Sequence, residues 1–126
     1  MRVSLIAVAS FLALAACAGD MAPAKTGSTG LGSVLVDAKG MTLYTFDRDT
    51  TPGKSACNGP CATNWPPLMA AADSKAMGDW TVIGRDDGSK QWAYKGKPLY
   101  AWSKDIKPGD TTGDGFLNGA WHAAKP

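Results

Sequence analysis

Hydrophobic and polar positions alternate most clearly in Met41-Thr42-Leu43-Tyr44-Thr45-Phe46. Side chains two apart share a strand face, so Thr42, Tyr44 and Phe46 should lie on one face and Leu43 and Thr45 on the other. Val34–Asp37 is a second short apolar run, and Ala38-Lys39-Gly40 between them supplies hairpin-turn chemistry. Further on, Trp80–Arg85, Lys90–Tyr94 and Lys97–Trp102 read as strands joined by Asp86-Asp87-Gly88-Ser89 and by Lys95-Gly96, an antiparallel meander. Ala120–Ala124 reads as a closing edge strand that carries Trp121 and His122. Met69–Met77 is expected to form one or two helical turns. Asp47–Pro60 and Pro108–Gly119, rich in Gly, Pro, Asp, Ser and Thr, are expected loops.

The pattern occurs twice. Leu43-Tyr44-Thr45-Phe46-Asp47-Arg48-Asp49 returns 56 residues later as Leu99-Tyr100-Ala101-Trp102-Ser103-Lys104-Asp105. The same register, without a gap, aligns Lys39-Gly40 with Lys95-Gly96, Pro52-Gly53 with Pro108-Gly109, Gly59 with Gly115 and Trp65 with Trp121. A chance hexapeptide match would not bring such flanks with it, so the chain contains an internal duplication, with repeats at about 34–79 and 90–126.

Two segments precede the repeats. Met1–Ala16 combines Arg2 with an apolar run too short to cross a bilayer, the pattern of an export signal. It ends Leu14-Ala15-Ala16-Cys17, which resembles a bacterial lipobox, and that resemblance implies acylation of Cys17 and cleavage before it. Ala18 follows the cysteine, so no inner-membrane retention signal is evident and an outer-membrane anchor is expected. Residues 17–33 are read as the lipidated Cys and a tether, whose sixteen residues after Cys17 would span about 20–25 Å as flexible coil.

Composition narrows the class. A chain of 126 residues has room for one domain. All eleven acids are Asp, and 15 Gly and 8 Pro favour strands and tight turns over long surface helices. The net charge of +2 falls to +1 without Arg2, and the chain has no basic cluster, which argues against nucleic acid as a partner.

The candidate chemistry is sparse. Cys57 and Cys61 are the thiols left once Cys17 is acylated, and in an exported protein a lone pair defaults to a disulfide. A dithiol oxidoreductase would favour Cys-x-x-Cys, covalent haem needs His where Ala62 stands, and zinc needs about four ligands against two thiols and one imidazole. The counterparts of the pair in repeat two are Gly113 and Leu117. Asp49 and Asp105 each follow an aromatic by three residues, where strand gives way to loop. There a carboxylate can accept loop N–H groups or bond a Tyr hydroxyl or Trp indole. The competing reading pairs the two acids across a pseudo-two-fold as a cation site or an acid/base pair. Asp110–Gly115 is a weak likeness of a calcium loop without the alternating ligands or terminal Glu. His122 is the only histidine, and a copper site with Met41, Met69 and Met77 has no support in their spacing. No phosphate loop and no nucleophile elbow is present.

Tyr44, Phe46 and Asp49, then Tyr100, Trp102 and Asp105, resemble the Tyr-x-(Phe/Trp/Tyr)-x-x-Asp motif of a bacterial family of small predicted lipoproteins, also called the secreted repeat of unknown function. Cys57–Ala62 running into Trp65-Pro66-Pro67-Leu68, and Pro98-Leu99-Tyr100 with Pro108–Gly113, resemble it too. The likeness spans about 34–125 and implies fold and location, with no activity, substrate or cofactor. The expected fold is therefore all-β: a small domain of two tandem repeats, antiparallel hairpins and a meander with long loops, pseudo-two-fold, little helix and one disulfide. The expected role is a membrane-anchored envelope lipoprotein without cofactor, facing the periplasm or cell surface, and more a binding or structural module than an enzyme. Its partners would be the membrane through Cys17 and an envelope protein, polymer or small ligand. The alternative is an accessory metal or redox protein that uses Asp49, Asp105, His122 or the Cys57/Cys61 pair.

Overall fold

The computed structural model describes residues 22–126. The signal segment Met1–Ala16, the lipidation site Cys17 and the first residues of the tether lie outside the described residues.

The strands sort their side chains into two cores. β1 (Lys25–Thr29) and β2 (Gly32–Val36) form an antiparallel hairpin, with Lys25 opposite Val36 and Thr29 opposite Gly32. This corrects the tether: 25–33 is ordered as strand and tight turn. Its Gly, Ser and Thr residues have little to bury, but their backbone pairs with Val34-Leu35-Val36, which is buried. Gly27 permits the approach, since a Cβ there would stand 2.8 Å from Val36 Cγ1. After β2 the chain turns at Asp37–Gly40, where the Asp37 carboxylate accepts the Lys39 and Met41 N–H groups and Gly40 takes φ 85°. The expected hairpin with 41–46 is brief, a bridge between Val36 and Thr42 and a bond from Leu43 N to Leu35 O at 2.9 Å.

β3 (Tyr44–Phe46) pairs antiparallel with β8 (Trp121–Ala123), the last strand of the chain. Strand alternation sends Val34, Val36, Tyr44 and Phe46 into one core with Trp65, Tyr100, Trp102 and Trp121. The intervening Leu35 and Leu43 enter a second core with Trp80, Trp92, Leu99 and Ala124. Between them, α1 (Pro60–Asn64) is a single turn with Pro at its start, and it delivers Trp65 to the first core.

The second core is covered by β6 (Lys90–Tyr94). β5 (Trp80–Gly84) pairs along one edge of it, and β4 (Met69–Ala70) and β7 (Lys97–Pro98) share the other. The meander β5–β6–β7 is as expected, although the last strand stops at Pro98 and Tyr100 makes only bridges, to Tyr44 and Pro67. Met69–Met77 is not helical: Met69-Ala70 completes the open edge of β6, and Met77 exchanges backbone bonds with Trp80. A last helical turn, α2 (Phe116–Gly119), holds Leu117 and Asn118 at φ 58° and 56°, left-handed values that few residues other than glycine adopt. The described residues contain no helix long and apolar enough to cross a membrane.

Candidate functional site

The two motif tyrosines meet at the pseudo-two-fold axis. Tyr44 N donates to Tyr100 O at 2.7 Å and Tyr100 N to Tyr44 O at 3.0 Å. Matched bonds flank this pair: Asp47 N to Ala120 O and Ser103 N to Asn64 O, then Ala124 N to Leu43 O and Leu68 N to Leu99 O. Each of these bonds maps onto its mate by the 56-residue shift.

From this axis the side chains cross over. The Tyr44 hydroxyl donates to Asp105 Oδ2 at 2.6 Å, and the Tyr100 hydroxyl to Asp49 Oδ2 at 2.7 Å. Each tyrosine thus bonds the acid of the other repeat. The second carboxylate oxygen holds the loop of its own repeat at the matched position: Asp49 Oδ1 accepts Ala56 N at 2.6 Å, and Asp105 Oδ1 accepts Thr112 N at 3.0 Å and Thr112 Oγ1 at 2.7 Å. Both tyrosines are fully buried, and burial with the neighbouring carboxylate pushes each phenol well above its ordinary value. Burial also raises Asp49, against the pull of its bonds to Ala56 and Tyr100.

The rings beside this lock repeat the symmetry. Phe46, Trp121, Trp65 and Trp102 form one continuous stack, with centroid steps of 4.1, 3.8 and 3.8 Å. The central pair, Trp65 and Trp121, is parallel within 2°. Tyr44 meets Trp65 edge-on and Tyr100 meets Trp121 edge-on.

The loops depart from symmetry. Cys57 and Cys61 are joined by a disulfide, with Cα atoms 5.2 Å apart. Arg85 lies buried beside them and donates to Ser55 Oγ, Gln91 Oε1, Cys57 O and Asn58 Oδ1 at 2.7–3.1 Å. Tyr100 gives its proton to Asp49, so the Ser55 hydroxyl, 2.7 Å away, donates to Tyr100. The guanidinium charge therefore reaches the Asp49 carboxylate through two hydroxyls. In repeat two the Tyr44 hydroxyl accepts Gly113 N at 3.3 Å instead. The repeated motif singles out neither Ser55 nor Arg85, and Thr111 stands at the position matching Ser55 and Thr29 at the position matching Arg85.

The remaining candidates are taken up by local structure. Asp110 accepts Ile106 N, Lys107 N and Lys107 Nζ, and Asp114 accepts Ala123 N, so both carboxylates of the calcium-like loop serve their own backbone. The His122 ring lies 2.8 Å from Asp47, with both side chains about half exposed. No three His, Cys, Asp or Glu side chains gather as metal ligands among the described residues.

Two surface grooves adjoin this framework. One of about 320 Å³ opens over the edge of the ring stack beside Cys61, with Phe116 and Leu117 on its rim. The other, about 400 Å³, lies across the β8 end, with Leu99, Ala123 and Ala124 lining it and Lys95, Lys97, Lys125 and the His122–Asp47 pair around it.

A family model described as a secreted repeat of unknown function matches 25–69 and again 81–125. The two matches stand 56 residues apart at both ends, the shift that relates the crossed Tyr–Asp bonds. The chain belongs to this family. Both copies begin earlier than the pattern of apolar residues suggests, and the first includes the β1–β2 hairpin. No curated protein and no solved structure matched the chain. The family places the protein among secreted repeats, consistent with an envelope module whose activity is uncharacterised.

Proposed function

We propose that the protein is a lipid-anchored envelope module that binds rather than catalyses, held through acylated Cys17 at the outer membrane and facing the periplasm or cell surface. The observation that carries this reading is the crossed lock. Both motif phenols and both motif carboxylates are bonded to each other and to loop backbone, so the motif acts as scaffold. Each carboxylate is held by a phenol and a loop N–H, and a group that fixes the fold in this way is a structural device in both repeats. What such a scaffold displays is its surface grooves, and a partner protein, polymer or small ligand of the envelope would dock there.

Two measurements test this reading. In fractionated cells, Cys17→Ser should move the domain out of the membrane fraction or leave an uncleaved precursor. Unchanged membrane attachment of a correctly cleaved Cys17→Ser protein would remove the lipid anchor from the proposal. Native mass spectrometry of protein taken from its own envelope should show no stoichiometric metal or redox cofactor. Finding one would replace the binding module with the accessory metal or redox protein.

A further inference from the structure

The duplication separates what the scaffold needs from what one face has acquired. At the 400 Å³ groove the lining Leu99 matches Leu43, and Ala124 matches the larger apolar Leu68. The charged rim is different. Lys97 stands where repeat one has Met41, Lys125 where it has Met69, His122 where it has Pro66, and Asp47 where repeat two has Ser103. Of the five ionisable positions around the groove, Lys95 matches Lys39, and the other four have neutral counterparts on the opposite, pseudo-equivalent face. Folding demands none of them, since the other copy builds the same backbone bonds without them.

The charge is mainly cationic and partly uncommitted. Asp47, the one acid on the rim, is engaged by His122 at 2.8 Å. Lys125 Nζ donates to Leu31 O at 2.9 Å, which fixes its ammonium at the groove's edge and leaves its charge unneutralised. Lys95 and Lys97 have no carboxylate partner among the described residues. Lys95 also occupies the first position of a turn at φ 50°, where Gly or Asn would be less strained, and its ammonium lies over the Tyr94 ring at 5.2 Å. Three lysines around the half-buried Tyr94 ring form a recognition surface for an anionic group joined to an apolar body, and the volume falls in the range of small-molecule sites.

We infer that the groove between Lys95, Lys97, Lys125 and His122 binds a small amphipathic anion, a phosphate or carboxylate on an aromatic or aliphatic body. The anion contacts the lysines and the body lies against the Tyr94 ring and the lysine stems, above the buried Leu99 and Ala123. This inference rests on the binding-module reading and names its ligand class. A failure to bind anions would leave that reading in place, because only a resident metal or cofactor overturns it.

The test uses the full chain in neutral nanodiscs of phosphatidylcholine, with phenyl phosphate as probe at constant ionic strength. Amide resonances of Thr45, Leu99 and Ala123 should shift saturably. The double variant Lys97→Met/Lys125→Met installs the residues of the other repeat, so it should fold normally and bind the probe at least fivefold more weakly. Lys39→Met/Lys104→Met removes the same charge from exposed positions outside the groove and should leave affinity unchanged. Absence of saturable shifts, or equal weakening by the two double variants, would overturn the inference. So would a third result: the same amides shifting when phosphatidylglycerol replaces part of the disc lipid, with phenyl phosphate then without effect. That outcome assigns the groove to the anionic membrane surface.

Discussion

The loops that follow the two motifs perform one task by different means. Both run from a motif aspartate to the position seven residues on, whose N–H bonds that aspartate: Ala56 in repeat one and Thr112 in repeat two. In repeat one the next residue is Cys57, fully buried, disulfide-bonded to Cys61 and clamped at its carbonyl by Arg85. In repeat two the next residue is Gly113, and the space a side chain would need is filled by the Trp65 ring. One loop is held by a crosslink and a buried cation, the other by an aromatic plane laid against bare backbone. A single tryptophan stack serves both because it is continuous across the axis. The comparison shows that the duplication preserves bonds to the backbone more strictly than the side chains that reinforce them.

The sharpest way to break this comparison is to give repeat two a side chain at the contested position. A Cβ on Gly113 would stand 2.8 and 2.9 Å from Trp65 ring carbons and 3.1 Å from Trp102 Cδ1. Trp65 is stacked on both faces, between Trp121 and Trp102, and cannot yield singly. Gly113→Ala should therefore cost about 3 kcal/mol, the upper end of ordinary overpacking, measured by denaturant unfolding. A loss under about 1 kcal/mol would mean that the stack gives way and that the two loops differ less than their contacts suggest.

The two acids come next. Asp105 is buried and supplies three bonds, whereas Asp49 is half-buried and supplies two. In either Asn variant one acceptor oxygen becomes an NH2 donor, so the tyrosine hydroxyl or the loop N–H loses its acceptor, and the loss is greater where water cannot replace it. Asp105→Asn should cost about 2 kcal/mol and Asp49→Asn about 1 kcal/mol, within the range for stranding a buried donor. Equal losses would show that the locks are energetically symmetric despite their unequal burial.

Much of this arrangement could be read from the residues alone, and the limits are instructive. The ungapped 56-residue shift and the alternation in Met41–Phe46 reveal the repeat, the motif strands and the inward aromatics, because period and register are written in the chain itself. A bond between a motif acid and a tyrosine was also legible as chemistry. Which tyrosine was not, since Tyr44 with Asp49 and Tyr44 with Asp105 satisfy the same groups and only the three-dimensional crossing decides. Lys25–Thr29 reads as tether because its residues bury almost nothing, and the strand exists through its partner Val34–Val36. Met69–Met77 reads as helical from Ala and Met content, and the open edge of β6 overrides that propensity. Arg85 carries no pattern at all, since a buried cation satisfied by carbonyl, amide and hydroxyl oxygens looks like any surface arginine in sequence, and Ser55 is marked only by the hydroxyl of Thr111 at its matching position.

The disulfide should matter less than its position suggests. The chain-entropy model sets a ceiling of about 2 kcal/mol for so short a loop. Arg85 still holds the Cys57 carbonyl after the crosslink is gone, so the Cys57→Ala/Cys61→Ala pair should lose only about 1 kcal/mol. Combined with Arg85→Met the loss should exceed the sum of the two, because each restrains the loop when the other is absent. Strict additivity in that cycle would separate the clamp from the crosslink.

The smallest expected effect is a pH dependence of opposite sign in the two loops. In repeat one, burial raises Asp49 above the ordinary 3.8. A carboxyl whose folded value exceeds its unfolded value favours the folded state when protonated. Its contribution is fully present below the unfolded value and is lost as pH rises through the folded value. In repeat two, Lys107 and the N–H groups of Ile106 and Lys107 hold Asp110 down to about 2. Its contribution is present above 3.8 and is lost as pH falls towards about 2. Acidifying from neutrality to just above 3.8 should therefore let Asp49 strengthen the domain before Asp110 begins to weaken it. Carboxyl carbon NMR would follow both groups residue by residue, and unfolding curves across that window would read the sum. In Asp49→Asn the mild gain on acidification should disappear while the later loss persists. An Asp49 resonance that titrates below 3.8 would reverse the sign for repeat one. The phenol of Tyr100 and the charge of Arg85 relayed through Ser55 would then outweigh burial, and repeat one would be the more acid-sensitive of the two loops.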